Sequence, residues 1–99
     1  MADPSLTEAL VRHSDAIDSM VERRAGGLAR REPLEDLAQG AKLRMLAAAD
    51  SFQWLSEPQF LGWARSVVDS YLHHRREYWN AARRNAGHVL RISVGGGST

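Results

Sequence analysis

Apolar residues recur every three or four positions through three stretches of this chain, which is the spacing of the buried face of an α-helix. No stretch shows the alternation of a half-buried strand or the signature of a β-hairpin. The pattern therefore predicts an all-α fold, a compact bundle of three or four helices that ends in a long helix. The stretches contain Leu6, Leu10, Ile17, Met20 and Val21; Leu34, Leu37, Ala38, Ala41, Met45, Leu46, Ala48 and Ala49; and Phe60, Trp63, Ala64, Val67, Val68, Tyr71, Leu72, Tyr78, Trp79 and Ala82.

Capping residues, proline and glycine indicate where these helices begin and end. Serine followed three residues later by Glu or Gln, at 5–8 and at 56–59, is typical of a capping box. Pro33 favours a helix start, whereas Gly26 and Gly87 favour helix ends. The predicted helices span about 6–24, 34–49 and from the second capping box to just before Gly87. Residues 5–86 would then form one domain and the glycine-rich residues 87–99 a flexible linker.

Composition excludes several classes of protein. The 99 residues contain no cysteine, which excludes a disulfide scaffold and a thiolate metal site and fits a reducing compartment. No apolar run is long enough to cross a bilayer, and the N-terminus lacks the basic and apolar segments of a secretory signal. We therefore expect a cytoplasmic protein without a membrane partner.

Charge is distributed unevenly along the chain. Residues 1–69 carry 8 Lys/Arg against 11 Asp/Glu, a net charge of −3, whereas residues 70–99 carry 5 Arg against Glu77 alone, a net charge of +4. A basic end on an acidic body attracts polyanions. A solvated helix face accounts for the charge pattern equally well.

The sequence contains no recognisable catalytic or metal-binding motif. His73 and His74 are adjacent, so on a helix their side chains point about 100° apart and cannot share one ion. Glycines 95–97 follow no strand and precede no helix, which excludes a phosphate-cradling loop. The serines show neither a nucleophile elbow nor triad spacing. We expect a protein that is not an enzyme and has no metal and no cofactor.

Two features suggest interaction surfaces. Asp36 and Gln39 share a helix face at i, i+3, although a capped helix with a solvated polar face also explains them. The segment 52–76 places aromatic residues close to arginines, a combination that suits single-stranded nucleic acid because bases stack and phosphates pair with guanidinium groups. An aromatic stripe at helical spacing is also typical of a core, where we expect Phe60. The loop that precedes Phe60 is the better candidate for a surface that contacts nucleic acid.

The order of these residues resembles region 2 of bacterial RNA polymerase sigma factors of the extracytoplasmic-function class, across roughly residues 6 to 84. The segment 75–84 resembles planctomycete-like members. The resemblance rests on Leu34-Glu35-Asp36-Leu37-Ala38-Gln39, Leu43-Arg44, Asp50-Ser51-Phe52, Phe60-x-x-Trp63 and Arg75-Arg76.

The resemblance implies a nucleoid-associated bacterial domain that docks on the clamp helices of the largest subunit of core RNA polymerase. It also implies capture of the melted, single-stranded minus-ten promoter element. An anti-sigma factor is a further candidate partner.

Site residues follow from the resemblance position by position. Asp36, Leu37 and Gln39 match polymerase-contacting positions. The loop residues Phe52, Gln53, Trp54 and Leu55 match the loop that holds a flipped-out base.

Arg83 lies seven residues after Arg76 on nearly the same helix face, and we expect the arginines to project outward with only Glu77 to neutralise them. The set expected to face promoter DNA is Trp63, Arg65, Ser70, Arg75, Arg76 and Arg83.

The chain departs from the family pattern in four places, the first being that the usual short first helix is expected to be absent. Gly40 stands where the family usually has glutamate, and Asp69-Ser70 replaces a common arginine-asparagine pair. No counterpart of region 4, the helix-turn-helix that reads the minus-35 element, is found in these residues. The alternative is a helical protein-interaction module on a sigma-like scaffold without promoter binding. The basic helix favours the first interpretation, since a pure interaction module has no need of five arginines.

Overall fold

The computed structural model describes the backbone of residues 4–51 and 56–97 and the side chains of residues 6–50 and 56–86. Across this part of the chain the fold is all-α, as the helical spacing predicts. No helix in the described ranges is both long and apolar enough to cross a membrane. The helices are α1 (Pro4–Arg12), α2 (Ser14–Ala25), α3 (Leu34–Ala47) and α4 (Glu57–Gly97), with short 3₁₀ turns at Gly26–Arg30 and Ala49–Ser51.

The predicted first helix is divided in two at His13. The backbone of His13 leaves the helical region, at φ −104° and ψ 18°. Arg12 and His13 both turn toward Glu57 at the start of α4, with Arg12 Nη1 2.6 Å and His13 Nε2 3.6 Å from Glu57 Oε1. The prediction of one continuous helix was wrong because a contact between distant segments bends an otherwise unbroken helical pattern.

One apolar core joins the four helices. Its largest fully buried side chains come from every helix, and Phe60 is among them, as predicted. At roughly 1.5–3 kcal/mol for each fully buried large apolar side chain, this burial is the main stabilising contribution. These side chains are Leu6, Ile17, Val21, Leu37, Met45, Phe60, Val68 and Leu72.

The second capping box starts α4 as predicted. Ser56 Oγ accepts the backbone N–H of Gln59 at 3.3 Å and donates to Gln59 Oε1 at 3.3 Å. The predicted end of the helix before Gly87 was wrong, because α4 continues to Gly97. A single glycine costs a helix only about 1 kcal/mol, and no proline follows it to stop the helix.

Polar contacts fix the helices relative to one another. Lys42 of α3 donates to Asp18 at 2.8 Å and to Ser14 at 2.7 Å, both on α2. The hydrogen bond from Arg12, aided by the charge of nearby His13, lowers the pKa of Glu57. Together with the core, these contacts set the faces that α3 and α4 present to solvent.

Candidate functional site

The outer face of α3 carries the two polar residues that the sequence singled out. Asp36 and Gln39 are both exposed, as expected from their spacing. Leu43, one turn further along the same face, keeps 64% of its surface exposed. One exposed leucine beside a carboxylate and an amide occurs on solvated helix faces as well as on protein-docking surfaces, so the composition alone does not separate the two.

Leu37 does not belong to this surface. Its side chain is fully buried in the core, so it cannot contact a partner directly. The assignment of Leu37 to polymerase binding was therefore wrong. The helical period that turns Asp36 and Gln39 outward turns Leu37 inward.

A groove of about 660 Å³ runs beside the same face of α3, between it and the α1–α2 pair. Val11, Leu34 and Leu46 line it and remain 76%, 36% and 38% exposed, so the last two are less buried than the sequence pattern predicts. Gln39 borders the groove as well. The outer face of α3 and this partly apolar groove thus form one continuous surface.

Gly40 of α3 lies against the side chain of Tyr71 on α4. A Cβ atom at this position would overlap the hydroxyl oxygen and ring carbons of Tyr71. The ring of Tyr71 packs against the core, and the guanidinium carbon of Arg44 lies 5.9 Å from its centre. The tyrosine occupies the space that a larger side chain at position 40 would need.

Arg75 is part of the fold rather than a free cation. Its Nε donates to Glu32 Oε2 at 2.7 Å, and Trp79 Nε1 donates to the same oxygen at 3.0 Å. Burial raises the pKa of Glu32, but these two hydrogen bonds and the charge of Arg75 outweigh it, and the pKa is lowered. The hydrogen bond with Glu32 raises the pKa of Arg75 in turn. The pair attaches α4 to the connector before α3.

Arg76 closes the C-terminal end of α2. Its Nη2 donates to the backbone oxygen of Arg24 at 2.6 Å and to that of Ala25 at 3.4 Å. A cation is favoured there because the last carbonyls of a helix have no partner within it. The expectation that the arginines project outward, opposed only by Glu77, was wrong for Arg75, which is paired with Glu32. Arg76 is exposed, but it donates to backbone carbonyl groups of the fold.

The remaining α4 residues assigned to DNA lie on two different flanks of the helix. At 100° per residue, Trp63 and Ser70 are within about 20° of each other, and Arg65 and Arg83 share one direction about 140–160° away. Ser70, Arg65 and Arg83 are exposed, whereas Trp63 is half-buried against the core, 6.1 Å from Phe60 between ring centres. The structure therefore does not bring this set together on one face.

Asp69 is neutralised within the protein. Its Oδ1 lies 3.0 Å from Arg24 Nε. The acid that the sequence places beside Ser70 therefore opposes an approaching phosphate less than its charge alone predicts.

Sequence reasoning missed Glu32, Leu43 and Tyr71. Glu32 lies in a connector without periodicity, and its partners are 43 and 47 residues away. The exposure of Leu43 was detectable, because it falls seven residues after Asp36 on the polar face. The predicted base-holding residues, Phe52, Gln53, Trp54 and Leu55, lie outside the described residues.

No group of three or more His, Asp or Glu residues in the described part of the chain could hold a metal ion. No protein-family model, curated protein or solved structure matches this sequence.

Proposed function

We propose that this chain is a transcription-initiation module of the sigma region 2 type, which docks on core RNA polymerase and binds the single-stranded minus-ten promoter element. The observation that carries the proposal is the outer face of α3. Asp36 and Gln39 occupy the positions at which the resemblance expects polymerase contacts, and both are exposed beside Leu43.

We propose that DNA crosses the exposed side of α4 between its two flanks. Such a strand would meet Ser70 and Trp63 on one flank and Arg65 on the other. Gly62 lies between the flanks, and nothing lies within 4 Å of the place that a Cβ would occupy there. The sugar-phosphate backbone of the DNA can therefore approach α4 closely at this position. In this arrangement Arg65 and Arg83 supply phosphate contacts, whereas Arg75 and Arg76 hold the helix in place.

Reversing the charge of Asp36 tests the docking face. We expect Asp36→Arg to weaken binding to bacterial core RNA polymerase by at least about tenfold, because it introduces like charge where a basic or polar partner is expected. The measurement is a titration of fluorescently labelled domain with core enzyme. Glu8→Arg, the same reversal at an exposed position of α1, is the matched control and should bind as the wild type does. Equal affinities for wild type and Asp36→Arg would contradict the proposed docking face.

The alternative function is a protein-interaction module without promoter binding, and the groove beside α3 favours it. Exposed Val11, Leu34 and Leu46 would accept an apolar segment of a partner protein. Among the described arginines that argued for nucleic acid, Arg75, Arg76 and Arg83 have hydrogen-bond partners within the fold, which weakens that argument. DNA binding separates the two functions, since only the sigma-type module requires it.

A further inference from the structure

A second pocket, of about 300 Å³, lies where the 3₁₀ turn Gly26–Arg30 faces α4. This volume is at the lower end of the range for small-molecule sites. Three of its lining residues are arginines from two separate segments of the chain. The residues that define it are Gly27, Arg31, Arg76, Trp79, Asn80 and Arg83.

The positive charge of this pocket is not neutralised by the carboxylates that the structure describes. Within the described side chains, Arg31, Arg76 and Arg83 form no ion pair with a carboxylate. Glu32 reaches the pocket wall through Trp79, but its charge is paired with Arg75. The pocket therefore gathers three positive charges around one open concave surface, which favours an anionic ligand.

The guanidinium groups are also held in position. Arg76 is fixed by the carbonyl groups at the end of α2, to which it donates through Nη2 alone. Arg31 lies over the Trp79 ring, 5.7 Å from its centre, and Arg83 donates to Asn80 Oδ1 at 3.4 Å. A guanidinium has five N–H donors, so each keeps donors for a ligand. Arginines restrained in this way lose less entropy when they bind a phosphate.

We propose that this pocket binds a phosphate group, as a small nucleotide or as part of a nucleic-acid backbone. Arg31, Arg76 and Arg83 would donate to the phosphate oxygens, and Trp79 would form the aromatic wall of the site. Binding here requires neither polymerase nor the minus-ten element. The pocket shares Arg83 with the proposed DNA contacts, and a response of the Trp79 signal separates binding in the pocket from binding along α4.

The test is isothermal titration calorimetry of the full chain at low salt with pyrophosphate, ADP and a short oligothymidylate, and with adenosine as the probe that lacks phosphate. The Trp79 indole N–H signal, assigned with Trp79→Phe, reports by NMR whether a probe reaches the pocket. The variants are the double substitution Arg31→Gln/Arg83→Gln and the single substitution Arg84→Gln. Arg84 is exposed and adjacent to Arg83, but it does not line the pocket.

We expect at least one phosphate probe to bind and to shift the Trp79 signal, and adenosine to do neither. The double variant should weaken that binding by about tenfold or more, since it removes hydrogen bonds to a charged group. Arg84→Gln should change it by less than about twofold. Tighter binding of ADP identifies a small nucleotide as the ligand, and tighter binding of oligothymidylate identifies nucleic acid. The proposal would be overturned if no phosphate probe bound. It would also be overturned if Arg31→Gln/Arg83→Gln and Arg84→Gln lost affinity for the probe equally.

Discussion

Replacing Gly40 with alanine is expected to destabilise the domain by about 1–3 kcal/mol, the usual cost of forcing extra volume into a packed contact. In an open helix the same change would stabilise by about 1 kcal/mol, because alanine has the higher helix propensity. The change in the free energy of unfolding has the opposite sign here, because the new methyl group would displace the Tyr71 ring from the core and from Arg44. Urea unfolding followed by circular dichroism measures the effect.

Gly62 provides the matched control for this experiment. It lies within α4, and a Cβ there would meet nothing within 4 Å, so Gly62→Ala should stabilise by about 0.5–1 kcal/mol. In a Tyr71→Ala background, Gly40→Ala should also become stabilising, because the obstructing ring is gone. If Gly40→Ala alone stabilises the domain as Gly62→Ala does, this result would contradict the contact between Gly40 of α3 and the Tyr71 ring of α4.

Replacing Glu32 with alanine is expected to cost about 2–3 kcal/mol near pH 7, since hydrogen bonds to a charged group contribute about 1.5–3 kcal/mol and both donors would lose their acceptor. Arg75 and Trp79 are half-buried, so water can accept their hydrogen bonds in place of Glu32 only in part. Urea unfolding measures the loss. Glu22→Ala, at an exposed carboxylate of α2, should change stability by less than about 0.5 kcal/mol.

The stabilisation by Glu32 should also depend on pH. Its pKa in the folded protein is below the ordinary 4.5, so the contribution is present above about pH 4.5 and is lost as pH falls through the lower, folded-state pKa. The stability difference between wild type and Glu32→Gln should therefore be largest near neutral pH and shrink in acid. Glu57 also has a lowered pKa, but it is present in both proteins and cancels in the comparison. A difference that does not change with pH would contradict an ionised Glu32 in this contact.

Periodicity predicted most of the fold because it reports directly which face of a helix is buried. The largest core side chains, including Phe60 and Leu72, follow from spacing, whereas Leu34, Leu46 and Tyr78 fit the same spacing and are nevertheless exposed. The break at His13 could not be predicted in this way, because it depends on Glu57, which is 45 residues from Arg12. The end of α4 was misplaced because Gly87 was given more weight than one glycine has in a long helix.

The candidate site was predictable only where exposure follows from the local pattern. Asp36 and Gln39 are exposed because the helical repeat places them on the face of α3 opposite its core residues. Arg75 and Arg76 look identical to free surface arginines in the sequence. Their partners, Glu32 and the end of α2, are 43 and 52 residues away, so only the folded chain reveals that both are engaged.

The most direct test of the proposed function is fluorescence anisotropy of a labelled single-stranded minus-ten oligonucleotide, titrated with the domain in the presence and absence of bacterial core RNA polymerase across a salt series. We expect binding that weakens as salt increases, with a slope of log affinity against log salt of about −0.7 for each phosphate contacted. Arg65→Gln should reduce that slope by about one contact, whereas Arg23→Gln, at an exposed position of α2, should not. Absence of salt-dependent binding to DNA, with and without core polymerase, would contradict the sigma-type function and leave the protein-interaction module in its place.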